Sequence, residues 1–137
     1  MRNISSFIRI QEAFVLIFLL SLYLTACGAV SDKLCDVESI SSQLSPGENS
    51  KVVVRVRNCG ATTDYVTEVS IIPASRDNIT GYGNAFRAKG YLDETSLEIR
   101  WQKDNELLIV YPADITVYMQ KYKVREVKVN YQAKSAP

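Results

Sequence analysis

The chain contains no histidine, and that absence narrows its chemistry before any motif is read. Histidine is the commonest general base and the commonest metal ligand. A serine nucleophile here would lack its usual base, and no S-x-x-K spacing offers a lysine in its place. No C-x-x-C pair occurs, so thioredoxin-type redox chemistry has no motif; two thiols without histidine do not make a zinc site. Charge of one sign is also missing. Sixteen Lys and Arg stand against 15 Asp and Glu, a formal charge of +1, which gives nucleic acid no electrostatic hold. The apolar runs are short: the longest, Ala13 to Leu24 ("AFVLIFLLSLYL"), has twelve residues. As a helix it spans about 18 Å against the ~30 Å of a bilayer core. No internal repeat is found, and a chain of 137 residues is expected to hold one domain.

What is present begins with an address. Arg2 and Arg9 precede the apolar run, whose length suits a secretory signal. The run leads into Leu24-Thr25-Ala26-Cys27, which resembles a bacterial lipobox. That resemblance implies a diacylglycerol on the Cys27 thiol, cleavage before Cys27, and often an acylated new amine. A buried methylene contributes about 0.8 kcal/mol, so one acyl chain holds marginally and two or three hold firmly. Residues 1–26 are therefore expected to be a lipoprotein signal peptide, formed as an N-terminal helix. Residues 27–34 are the lipidated cysteine and a tether, and 35–137 the globular domain. The expected location is the cell envelope: the outer membrane facing the periplasm in a two-membrane cell, or the outer face of the membrane in a single-membrane one. Gly28, standing where an aspartate would favour inner-membrane retention, is compatible with the former.

Lipidation of Cys27 leaves Cys35 and Cys59, in a compartment that permits disulfides. A Cys35–Cys59 bond is expected. It closes a 25-residue loop counted inclusively, worth about 3.5 kcal/mol in the chain-entropy account. Removal of residues 1–26 takes away Arg2, Arg9 and Glu12, leaving 14 basic and 14 acidic side chains on 111 residues.

The rest of the chain alternates with the period of half-buried strands, one face on a core and the other toward solvent. "KVVVRVR" sets Val52, Val54 and Val56 against Lys51, Val53, Arg55 and Arg57. "SLEIRWQ" sets Leu97, Ile99 and Trp101 against Glu98, Arg100 and Gln102, and "EVKVNYQ" sets Val127, Val129 and Tyr131 against Lys128 and Asn130. "YVTEVSII" and "ELLIVY" read as more deeply buried strands, "DVESISSQ" and "NAFRAK" as weaker ones. "SPGENS" (45–50) and "KDN" (103–105) read as turns, "SRDNITGYG" (75–83) as a longer loop. "ADITVYMQKYK" fits strand or short helix. The expected fold is all-β, an antiparallel meander of about seven strands forming an open sheet, a sandwich or a small barrel.

The domain resembles a small bacterial family of secreted and lipid-anchored proteins of unknown function. The likeness runs from about Cys35 to Tyr131. It is carried by Cys35, Ser45-Pro46, Cys59-Gly60-Ala61-Thr62-Thr63, Val69-Ser70-Ile71, Gly83-Asn84-Ala85-Phe86, Trp101, Asp104, Asn105 and Leu107. The family's extra residue and aspartate in the Ser-Pro turn are missing. The resemblance implies a secreted, β-rich, cysteine-linked domain and brings no catalytic residues.

The candidate binding loop is "NCGATTDY". Gly60 frees the backbone for positive φ, and Thr62, Thr63 and Asp64 have side chains that hydrogen-bond nearby amides. A stapled turn is the plainer reading. Asp77, Asn78, Tyr82 and Asn84 share a loop without calcium-loop spacing, so no metal and no cofactor is expected. Asp93-Glu94 reads as a solvated turn, Trp101 as core, and Tyr111, Tyr118, Tyr122 and Tyr131 as strand packing or an aromatic surface. "KYKVREVK" reads as a solvated strand or a weak contact with anionic lipid heads. The function these features suggest is a non-enzymatic envelope lipoprotein that binds an envelope protein or glycan. The alternative is an inhibitor or immunity protein against an envelope hydrolase such as lysozyme, and a histidine-free hydrolase is the third reading.

Overall fold

The computed structural model describes residues 35–93 and 96–135. The signal segment, Cys27, the tether and Glu94 lie outside the described residues. Nine strands and no helix occur among the described residues. They are β1 (Asp36–Leu44), β2 (Ser50–Asn58), β3 (Val66–Pro73), β4 (Phe86–Lys89), β5 (Glu98–Lys103), β6 (Glu106–Pro112), β7 (Val117–Gln120), β8 (Lys123–Val124) and β9 (Val127–Lys134). One sheet has the order β1-β2-β3-β4-β7 and the other β5-β6-β9-β8. The fold is all-β and open, with two sheets around a shared core.

Strand pairing follows the alternation. Val52 and Val54 of β2, Val69 and Ile71 of β3, and Phe86 and Ala88 of β4 supply one side of the core. Leu97, Leu107, Ile109, Val127 and Val129 supply the other. Phe86 is fully buried, its ring 5.3 Å from that of Tyr111 and 6.0 Å from that of Tyr131. The Tyr131 hydroxyl lies 2.8 Å from Ala85 O and 2.9 Å from Lys121 O and accepts from the Lys121 N–H at 3.1 Å. Burial pushes its pKa up to about 12. Trp101 is half-buried against the core.

The turns fall where the punctuation places them. Ser45 accepts from the Glu48 N–H with its carbonyl and from the Ser50 N–H with its hydroxyl, closing the β1–β2 turn. At the opposite end of that hairpin, the Cys35–Cys59 disulfide lies just beyond the paired Asp36 and Asn58. β1 is an edge strand with little burial of its own, so turn and disulfide hold it at both ends.

Three features depart from the sequence reading. The meander runs only through β1–β4; the sheet is then completed by β7, and β9 pairs with β6 in parallel. The ambiguous 113–123 stretch contains β7, and "KYKVREVK" is a two-residue strand, a turn with Arg125 at φ 56° and the start of β9, not one continuous strand. Third, the second face of β2 is not solvated: Val53, Arg55 and Arg57 are buried along with the core-facing valines. The cause is the segment between β3 and β4, which lies across that face.

Candidate functional site

The buried outer face of the five-stranded sheet is built by register. β2 sets Arg55 opposite Glu68 of β3, and β3 sets Glu68 opposite Arg87 of β4. Three charged residues therefore form a row across three strands, with Arg57 two residues along from Arg55. The Glu68 side chain is 0% exposed. Its carboxylate accepts from Arg55 at 3.2 Å and from Arg57 Nε at 3.1 Å. A charge buried this completely needs such partners, because desolvation of an unpaired carboxylate is prohibitive.

The β3–β4 segment is fastened over this row by its backbone. Arg55 donates to Ile79 O at 3.1 Å and Gly81 O at 2.9 Å, and Arg57 donates to Gly81 O at 2.8 Å. The Asn84 side chain both accepts from and donates to the Ile71 backbone, at 2.8 and 3.0 Å, as a further strand residue would. Gly83 sits directly over Glu68; a Cβ there would be 2.8 Å from Glu68 Cβ. Tyr82 lies against two cations, its ring centroid 4.5 Å from Arg57 Cζ and 5.4 Å from Arg87 Cζ.

Beside this cluster opens a pocket of about 410 Å³. Its charged lining is Arg57, Glu68 and Arg87 from the sheet face. Its apolar lining is Val66 with the rings of Tyr82 and Tyr118, which remain 54% and 50% exposed. Cys59, Thr63 and Asp64 close it from the disulfide-linked loop. Asp64 is paired with Lys89 at 2.9 Å, and that hydrogen bond, with the charge behind it, raises the Lys89 pKa. Burial lowers the Arg55 pKa, with Glu68 opposing and Arg57 reinforcing the shift. Two guanidiniums thus hold one buried carboxylate, with Arg87 at the register position across from it on β4.

The expected binding loop contributes half of its residues. Thr63 and Asp64 line the pocket; Gly60 and Thr62 do not. Gly60 has φ 107°, as its turn requires. The turn is built differently from the expectation: Asn58 Oδ1 accepts from the Gly60 N–H, and the Thr63 hydroxyl donates to Gly60 O. Of the loop residues, Tyr82 lines the pocket, Asn84 clasps β3, Asp77 pairs with Lys51 at 3.3 Å, and Asn78 is exposed. The four tyrosines do not form one surface. Tyr111 and Tyr131 pack on the core, whereas Tyr118 and Tyr122 are exposed. Asp93 accepts from the Ser96 backbone and hydroxyl at 3.0 Å. Among the described residues no cluster of three or more Cys, Asp or Glu is arranged to hold a metal ion.

Arg57, Glu68 and Arg87 were not singled out by sequence reasoning. A signal existed: one glutamate inside the apolar run "YVTEVSII" and arginines at alternate positions of the neighbouring strand. No protein-family model matches the chain, and neither a curated protein nor a solved structure matches it.

Proposed function

We propose that the chain is a lipid-anchored, non-enzymatic binding protein of the bacterial cell envelope, and that the pocket beside the disulfide is its recognition site. The observation that carries the reading is the pocket itself: two exposed tyrosines and two arginines held on a sheet face next to a covalently pinned loop. Both carboxylates lining it are tied to cations, Glu68 to Arg55 and Arg57 and Asp64 to Lys89, which favours recognition over acid–base catalysis. The anchor rests on Leu24-Thr25-Ala26-Cys27 after a twelve-residue apolar run. The disulfide agrees with an oxidising compartment. The partner is an envelope protein or glycan.

Two measurements test this. Fatty-acid labelling and membrane fractionation of Cys27→Ser should show loss of label and of membrane attachment; a variant that stays in the membrane would refute the anchor. A photo-crosslinking residue at Tyr118 should capture an envelope component in intact cells, whereas the same residue at Gln102 on the other sheet should not. Equal capture at both positions would refute the site.

A further inference from the structure

The charge around the pocket does not balance. Glu68 is shared by Arg55 and Arg57, and the carbonyls of Ile79 and Gly81 take further N–H groups of those two. Arg87 has no such arrangement. Its Nε is buried and has no hydrogen-bond partner among the described residues, and its described contact is the Tyr82 ring. An aromatic face attracts a cation but accepts none of the parallel N–H bonds a guanidinium is shaped to make. Arg87 lines an open pocket instead.

We infer that this pocket binds a carboxylate joined to an apolar body. The carboxylate sits on Arg87, with the charge of Arg57 beside it, and the body lies against Val66, Tyr82 and Tyr118. Charge favours an anion: Arg55, Arg57 and Arg87 stand against the single charge of Glu68, and the rim carboxylate, Asp64, is already paired with Lys89. Geometry agrees, because a planar carboxylate matches the guanidinium fork through two parallel hydrogen bonds. The pocket's volume accommodates a small ring or side chain beyond the charged group, and its half-exposed tyrosines have apolar faces to offer it. The inference rests on the reading of this pocket as the recognition site and names its ligand chemistry. The carboxylate of a free small acid and that at the end of a peptide share this chemistry.

The test is a nuclear magnetic resonance titration of the full chain purified in mild detergent, following the backbone N–H signal of Tyr82, a pocket residue that every variant retains. Benzoate should shift that signal, and its neutral isostere benzamide should bind about tenfold or more weakly. Arg87→Gln should weaken benzoate binding by the same factor and leave benzamide unaffected. Arg87→Lys, which keeps the charge and loses the fork, should fall between. N-acetylphenylalanine binding tighter than benzoate assigns a peptide end, and the reverse order a free acid; either supports the inference. Equal binding of benzoate and benzamide, tighter binding of inorganic phosphate, no binding of any probe, or unchanged benzoate affinity in both Arg87 variants would overturn it. Crosslinking at Tyr118 in cells reads the partner and not the charge, so the two failures are distinguishable.

Discussion

Replacing Glu68 with Gln keeps the shape of the side chain and removes one charge from the most enclosed place on the outer sheet face. In the native protein that charge is 0% exposed and stands 3.2 Å from Arg55 and 3.1 Å from Arg57. At such separations each pair attracts by about 5 kcal/mol with an effective dielectric constant near 20, before desolvation is set against it. The amide loses this attraction and turns N–H groups toward guanidinium donors. The two arginines remain fixed under Ile79 and Gly81 with no counter-charge. Breaking a buried pair in this way costs about 3–5 kcal/mol, a large part of the 5–15 kcal/mol that about holds a domain folded. Urea unfolding of wild type and Glu68→Gln at neutral pH measures the difference. Arg55→Met should cost less in the Glu68→Gln background than in wild type, with a coupling of about 0.5–3 kcal/mol. A loss below about 1 kcal/mol for Glu68→Gln, or strict additivity of the two changes, would refute the claim that this cluster fastens the β3–β4 segment to the sheet.

Other perturbations reach the same framework elsewhere. The Cys35→Ser, Cys59→Ser double variant should lose about 3.5 kcal/mol on the chain-entropy account, and hydrogen exchange should show the loss first in the exposed edge strand β1. Gly83→Ala places a Cβ 2.8 Å from Glu68 Cβ and 3.2 Å from the Phe86 carbonyl oxygen; a cost of about 1–3 kcal/mol in thermal unfolding is expected. Tyr131 is held neutral to about pH 12, above its unfolded value of about 10. Its contribution is therefore complete below about pH 10 and lost as pH rises toward 12. Tyrosinate absorbance should show, in the folded protein, a component titrating near pH 12 that Tyr131→Phe removes.

Much of the scaffold was readable from alternation alone. Leu97, Ile99 and Trp101 face inward and Glu98, Arg100 and Gln102 outward because one face of β5 packs on the core and the other meets solvent. The same rule misplaced Arg55 and Arg57. A period of two separates the faces of a strand but does not reveal what covers each face, and the covering segment lies more than twenty residues away in sequence. The loop at 59–64 was found through its cysteine and glycine, yet the groups that give the pocket its charge come from β2, β3 and β4. Their meeting depends on register between strands, which no local window contains. The parallel pairing of β6 and β9 was hidden for the same reason: an intervening strand, β7, joins the opposite sheet.

The place of β9 has a bearing on how the polypeptide folds. β9 lies in the interior of its sheet, between β6 and β8, and contributes Val127 and Val129 to the core. A chain synthesised amino-terminus first presents β6 with an open flank until β9 has followed it. The core of that sheet therefore closes only once β9 is available, and a nonsense codon anywhere before β9 should yield a protease-sensitive fragment instead of a shortened but serviceable domain.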